Sequence, residues 1–340
     1  MNKSSKAPRR RGRNKEDGGG VGDPPSSTSF HAPLIQFNDD VRTWYEYGKD
    51  LPGRDDSIST SSSSSPSPAL VRQYRSMADS IYANELRLFK QGQNGQSAKD
   101  EHWVENTMRK GTLKDRIAAM AVTLSGDPLH KFYALDGLMS MVGCSTSDSG
   151  SGGGKTNSRV AQLTAEALED LFINTLLPPN RKLLTLAQRP LSQYEDEYNN
   201  NPNDDNEDIV EIGNKKKNKN RKKSSSSSSN VKKTLSPRIL LLWRFEELIR
   251  EKYDLYLRQY MAQTLQDGVE LQKIATLRSA SNLLSSNPEG EIQLLNMMVN
   301  KLGDPEKKTV AAAGHQLRIV LQEHTNMQTV VAREVQQLAH

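Results

Sequence analysis

The glycine-rich tract from Ser149 to Thr156 is the first candidate for chemistry in this chain, because it ends in Gly-Lys-Thr as a phosphate-binding loop does. That loop also needs a glycine five residues before Gly154, and the chain has Ser149 at this position. No buried strand precedes the tract, and its neighbours have the composition of a flexible linker. The tract therefore predicts a linker and not a nucleotide site.

Metal-binding and acid–base residues are also present, but their spacing does not form a site. The chain has six scattered histidines and one cysteine, Cys144, which excludes a disulfide framework and is expected to be an inert thiol. The carboxylate pair Glu246-Glu247 falls inside a predicted helix, and Asp204-Asp205 falls inside a polar run. Neither pair has the pocket context that acid–base catalysis requires. The sequence predicts no catalytic, cofactor or metal site, and therefore no enzyme.

One segment between two predicted helices combines cations with apolar anchors. The connector from Leu176 to Leu191 contains Arg181, Lys182 and Arg189 among leucines and prolines. Basic side chains on the edge of a helical array favour contact with nucleic-acid phosphates. The alternative, that these cations support the connector itself by satisfying helix C-terminal carbonyls, stands equally beside it.

Two basic runs lie outside the predicted helices. Such clusters are typical of nuclear or nucleolar localisation signals and of nucleic-acid-binding tails, although ordinary solvated runs have the same composition. The candidates are Arg9, Arg10, Arg11 and Arg13 in the first run, and Lys215, Lys216, Lys217, Arg221, Lys222 and Lys223 in the second.

Apolar residues recur at gaps of three and four along most of the chain, which indicates amphipathic helices. A capping Asn or Asp followed by proline separates several of them, at Gly126-Asp127-Pro128, Asn287-Pro288 and Gly303-Asp304-Pro305. The predicted helices are Leu70–Phe89, Trp103–Leu124, Pro128–Val142, Val160–Leu176, Pro237–Ala262, Gln266–Ser286, Glu289–Leu302, Pro305–Glu323 and Met327–Leu338. Repeated punctuation of this kind predicts an all-α fold, a helical solenoid of the HEAT or armadillo type.

Composition limits how much of the chain can pack. Hydrophobic residues make up 34% and aromatic residues 6%, so the polar tracts cannot offset the entropy of ordering. No apolar run is long enough for a transmembrane helix, and no secretory signal is present.

The predicted organisation is a disordered basic tail (1–33), a docking segment (34–50), a Ser/Pro linker (51–69), first solenoid helices (70–144), a Ser/Gly linker (145–158), a solenoid helix with the basic connector (159–192), a disordered acidic and basic insertion (193–234) and further solenoid helices (235–340). Because the last helix has no polar capping unit, we expect the array to be truncated.

Several stretches together resemble the N-terminal part of the CCAAT-binding factor/Mak family. The resemblance covers roughly residues 34–50 and 103–338, outside the low-complexity tracts. It is carried by Trp44–Tyr47, Glu166–Ile173, Leu176–Leu183, Gln188–Leu191, Ile239–Glu246, Asn287–Glu289, Val299–Pro305 and Val330–Val335.

The resemblance implies a non-enzymatic HEAT-like scaffold in ribosome biogenesis that acts in the nucleolus on the early large (60S) subunit. It implies as partners pre-ribosomal RNA, a second nucleolar-complex protein and other large-subunit assembly factors, with no membrane and no small-molecule substrate. The later domain that gives the family its name falls outside this chain. Two alternatives remain: a DNA-associated transcriptional regulator and a protein-only HEAT adaptor. The absence of a zinc-finger, basic-zipper or recognition-helix pattern disfavours direct reading of DNA bases.

Overall fold

The computed structural model describes residues 32–37, 43–47, 66–92, 96–144, 158–192, 194 and 235–338. The two basic runs, the Ser/Gly linker through residue 157, and most of the Ser/Pro linker and of the 193–234 insertion lie outside these residues. Tyr194 is the one position of that insertion that is described, and it is buried against the helices.

Eleven α-helices make up the described part of the chain. They are α1 (Pro68–Gly92), α2 (Gln96–Lys110), α3 (Leu113–Gly126), α4 (Tyr133–Met141), α5 (Ser158–Leu171), α6 (Pro237–Leu255), α7 (Ala262–Asp267), α8 (Glu270–Ser286), α9 (Glu291–Asn300), α10 (Lys307–Glu323) and α11 (Gln328–Leu338). A π-helical turn, Phe172–Leu176, extends α5, and a second, Tyr256–Met261, joins α6 to α7.

Two predicted helices begin or break elsewhere than expected. The helix predicted over Trp103–Leu124 is divided at Gly111, where a Cβ atom would lie 2.5 Å from the Thr107 carbonyl oxygen, and Thr112 then caps α3 by accepting from the Asp115 N–H. The helix predicted from Pro128 starts only at Tyr133. The intervening turn is held because the Asp127 carboxylate accepts the His130 backbone N–H at 3.0 Å.

The Asn-Pro and Asp-Pro signals have different outcomes. The Asp304 carboxylate accepts the Glu306 N–H at 3.0 Å and holds the turn before α10, but the N-cap of α10 is Glu306, so the predicted cap falls two residues too early. The prediction that Asn287 caps the next helix is wrong, because its buried side-chain amide has no hydrogen-bond partner among the described residues. The residue at the start of α9 is Gly290, whose φ of 71° places it in the left-handed region that favours glycine.

The order of packing confirms the helical-solenoid prediction. Helix α3 packs against α2, α4 and α5, while α8 packs against α5, α9 and α10, and α9 contacts α11. Most of these contacts join helices that are near neighbours in the sequence, as expected of a stacked array. Helix α1 differs because it lies across α6 and the connector. No helix in the described ranges is both long and apolar enough to cross a bilayer.

Part of the predicted docking segment packs into the helical core. Ile35 and Trp44 are buried, and the Trp44 indole N–H donates to the Leu176 carbonyl at 3.0 Å. The Trp44 ring also meets Phe245 of α6 edge-on, with ring centroids 5.4 Å apart. Residues 32–37 and 43–47 therefore add an outer layer to α1, α5 and α6, and the positions 38–42 and 48–50 lie outside the description.

Candidate nucleic-acid interface at the connector

The basic connector, from Leu176 to Leu191, begins at the last residue of the first π-helical turn and crosses α6. Leu177 ends that turn by donating its N–H to the Phe172 carbonyl at 2.9 Å. Three connector leucines, Leu183, Leu186 and Leu191, are at most 1% exposed. The connector is therefore a packed part of the structure, and its polar groups must find partners inside it.

Glu246 of α6 supplies the first of these partners. Its carboxylate is 2% exposed and binds Arg181 (Nη2 to Oε2, 3.1 Å) and Arg189 (Nη2 to Oε2, 2.7 Å). The same carboxylate accepts the backbone N–H of Leu184 at 2.8 Å. A buried carboxylate is favourable only when it is paired and hydrogen-bonded, and Glu246 meets both conditions.

Glu247, the next residue, does the same on the α1 side of the connector. It accepts bonds from Arg75 (Nη2 to Oε1, 2.7 Å) and Arg244 (Nη1 to Oε2, 2.9 Å), and from the Leu186 backbone N–H at 3.3 Å. Burial disfavours the charged form of Glu247, but the hydrogen bond and charge of Arg75 and the charge of Arg244 outweigh burial. The pKa of the Glu247 carboxyl therefore lies below its ordinary value.

Two residues at the start of α9 complete the clamp. The Glu289 carboxylate accepts the Leu183 N–H at 2.7 Å, and Glu291 binds the Lys182 ammonium group at 2.7 Å. Arg250 of α6 donates to the Leu183 carbonyl at 3.3 Å. Carboxylates from α6 and from the turn before α9 thus hold the connector backbone at residues 183, 184 and 186.

The three predicted phosphate-binding residues have different environments. Arg189 is 2% exposed, and its guanidinium carbon lies 5.0 Å from the centre of the Trp243 ring. Arg181 has a side chain 25% exposed and directed to Glu246. Lys182 is the one of the three whose side chain is more than half exposed, at 51%. Arg181 and Arg189 therefore support the connector internally, through the buried carboxylate of Glu246.

The pair Glu246-Glu247 organises this site, although its sequence position predicted no functional role for it. The available signal was the position of the pair, because both carboxylates interrupt the apolar run from Ile239 to Ile249 at places that helical spacing buries. A charged residue is almost never fully buried without a partner. Two adjacent buried carboxylates therefore indicate that cations from another segment must reach them.

A second buried cluster fixes the docking segment to α1. The Glu85 carboxylate accepts the backbone N–H groups of Leu34 and Ile35 at 2.8 and 2.9 Å. His130 lies 3.3 Å from Glu85 through Nε2 and 2.8 Å from Asp127 through Nδ1. Burial lowers the pKa of the His130 imidazole, but hydrogen bonds to Asp127 and Glu85 outweigh this and raise the pKa above its ordinary value.

Cys144 is buried at the end of the α4 segment. Burial raises the pKa of its thiol to about 12. The thiol therefore stays protonated near neutral pH, as expected of an unreactive cysteine.

The architecture defines a class, a stack of amphipathic helices whose connector is clamped by buried carboxylates. Comparison with known protein families finds no match. Comparison with individual proteins finds three informative relatives. Nucleolar complex protein 1 of Drosophila melanogaster is 29% identical over 309 residues, covering 91% of this chain and 22% of that protein. CCAAT/enhancer-binding protein zeta of Homo sapiens is 29% identical over 269 residues, covering 79% and 22%. Ribosome biogenesis protein NOC1 of Chaetomium thermophilum is 24% identical over 270 residues, covering 79% and 23%.

These relatives confirm the resemblance predicted from the sequence, since their names are those of nucleolar-complex and CCAAT-binding proteins. The chain spans less than a quarter of the length of each of the three. The similarity therefore concerns a helical portion of much longer proteins.

Proposed function

We propose that the chain is a non-enzymatic helical scaffold that acts in ribosome biogenesis in the nucleolus. The observation that carries the proposal is the similarity over 91% of the chain to a protein named Nucleolar complex protein 1, in a fold built of stacked helices. The finer proposal is that the scaffold binds pre-ribosomal RNA and, with a second nucleolar-complex protein, other assembly factors of the large (60S) subunit. The basic runs at Arg9–Arg13 and Lys215–Lys223 would supply the nuclear address.

An exposed basic corner between α2 and α3 supports contact with RNA. Trp103 is 67% exposed, and Lys110 follows it by seven residues on the same face of α2. Lys110 and Lys114 flank the turn at Gly111 and are both exposed. An exposed aromatic ring beside cations can stack on an unpaired base while the cations neutralise phosphates. Lys182 of the connector is a separate candidate for phosphate contact.

The double variant Lys110→Gln/Lys114→Gln tests this corner in the full chain. We measure binding of a fluorescently labelled structured RNA as salt is raised. Removing two phosphate contacts should lower the slope of log affinity against log salt by roughly 1.4 to 1.8, because each contact contributes about 0.7 to 0.9. Lys307→Gln/Lys308→Gln removes the same charge from α10 and serves as the control. Equal slopes for the two variants would contradict RNA binding at this corner.

Crosslinking of the tagged chain in cells, followed by sequencing of attached nucleic acid, tests the assignment as a whole. Enrichment of pre-ribosomal RNA is the expected result. Enrichment of promoter DNA would replace the proposal by a transcriptional regulator, and no enrichment above background would replace it by a protein-only adaptor.

A further inference from the structure

A groove of about 630 Å³ runs between α5 and α8 on a face that the connector does not reach. Its floor lies where the two π-helical turns meet, since Phe172 of the first contacts Tyr256 of the second with ring centroids 5.4 Å apart. π-Helical turns inside longer helices are rare and occur often at functional sites. The groove volume is within the range of sites that bind small ligands or a few side chains.

The floor and one wall of the groove are apolar. Tyr256 and Tyr260 stack there with ring centroids 5.4 Å apart, and Ile173 and Ile274 line the groove beside them. Leu271 also lines the groove and is 77% exposed, so it presents apolar surface there. Tyr256 is fully buried, and its hydroxyl has no hydrogen-bond partner among the described residues.

The other wall is acidic, with Glu166, Glu169 and Asp170 on α5. Each carboxylate accepts bonds only from neutral groups within the described structure: Gln162 for Glu166, Ser279 and Asn282 for Glu169, and Asn174 for Asp170. None has a cation within ion-pair distance among the described residues. Arg278 is the basic residue that lines the groove, so three negative charges face one positive charge. In a chain of net charge +5, this wall is an acidic exception.

We propose that the groove binds a peptide segment of a partner protein that carries an apolar anchor flanked by lysine or arginine. The anchor packs against Tyr260, Ile173 and Leu271, which are at least partly exposed, and this removes apolar surface from water. The flanking cations pair with Glu166 and Asp170, whose charges are otherwise unmatched and which repel the phosphates of RNA. The groove is thus a protein-binding site separate from the RNA-binding surface of the proposed function, and it does not depend on it.

The probe for this site is a fluorescein-labelled synthetic peptide of about 14 residues, with leucines at helical spacing on one face and lysines on the others. We measure its binding to the full chain by fluorescence anisotropy. Glu166→Gln/Asp170→Asn should weaken binding by about tenfold, equivalent to about 1.4 kcal/mol. Both residues are exposed, so the variant keeps the fold. Leu271→Ser should also weaken binding, and a peptide with serine in place of leucine should not bind.

The matched control is Glu105→Gln/Glu323→Gln, which removes the same charge from exposed sites outside the groove and should leave affinity within about twofold. Equal weakening by the two double variants would reduce the effect to net charge and overturn the proposal, as would a probe that does not bind.

Deletion of Lys215–Lys223 distinguishes a competing occupant. If the deletion tightens probe binding by more than about tenfold, the basic run of this chain occupies the groove and the assignment to a partner is wrong. Loss of a dimer in the groove variant would assign the site to a second copy and would also overturn it.

Discussion

At the scale of single residues, buried carboxylates organise the molecule. Glu246 and Glu247 gather cations from α1, α6 and the connector, and Glu85 fastens the docking segment to α1. Each carboxylate also accepts a backbone N–H from an irregular segment that no helix or strand would satisfy. The carboxylates therefore replace regular secondary structure as the partner of these segments.

Replacing Glu246 by glutamine should destabilise the fold strongly. The change removes the carboxylate charge that pairs with Arg189, whose guanidinium is buried against Trp243. Removing one partner of a buried ion pair costs about 3–5 kcal/mol, and we expect a decrease of this size in the free energy of unfolding measured in urea. Glu323→Gln, on an exposed position of α10, should change it by less than about 0.5 kcal/mol. A small effect of Glu246→Gln would show that the connector is held mainly by its leucines.

His130 should make the stability of the fold depend on pH. Its pKa is raised in the folded state, so its contribution is fully present below the unfolded pKa and is lost as pH rises through the folded pKa. We therefore expect the stability difference between the wild-type chain and His130→Gln to shrink as the pH is raised from about 6 to about 9. Urea unfolding at a series of pH values measures this difference. A difference that grew over this range would contradict the raised pKa.

At the scale of elements, apolar periodicity predicts that the helices exist but not where each begins. All nine predicted helices have counterparts, because spacing of three and four residues alone buries a stripe against a neighbour. The boundaries at Gly111 and Gly290 were missed because they depend on contacts with Thr107 and with Leu257, which the pattern of polar and apolar residues does not contain. Asn287 illustrates the same limit, since its capping chemistry is present but its side chain is buried away from the start of α9.

Gly290→Ala should destabilise the start of α9. The residue has a φ of 71°, and a Cβ atom there would lie 2.7 Å from Leu257 Cδ1. The left-handed conformation alone costs a residue with a side chain about 1–2 kcal/mol, and the close contact adds to it. Gly126→Ala, at the end of α3, meets no atom within 4 Å and is the control. Equal urea midpoints for the two variants would contradict the strained start of α9.

At the scale of the whole molecule, the chain is an array in which each helix is stabilised mainly by the helices packed against it. Its assembly was predictable because short connections between amphipathic helices leave few ways to bury their stripes. The connector site was only partly predictable. Its three cations were identified from the sequence, but their partners Glu246 and Glu291 are 57 to 109 residues away, and nothing in the local pattern pairs them.

Val320→Asp should unfold one end of this array while the other end stays folded. Val320 is fully buried in α10, and a charge there cannot be solvated without opening α10 and its neighbours. Because helices in an array depend mainly on adjacent helices, hydrogen exchange should accelerate in α10 and α11 and remain slow in α3 and α5. Val122→Asp changes a valine that is 73% exposed and should leave exchange unaltered. Uniform acceleration along the chain would show that the helices unfold as one unit.

The three tryptophans have a consequence for optical study of this protein. Trp44 of the docking segment is buried against α6, and Trp243 of α6 is buried beneath Arg189. Trp103 on α2 is 67% exposed. A collisional quencher such as iodide should therefore reach only the red-shifted emission of Trp103, leaving a blue-shifted component from the other two. One emission spectrum can thus separate the exposed Trp103 of the basic corner from the two buried tryptophans, which report on the docking segment and the connector together.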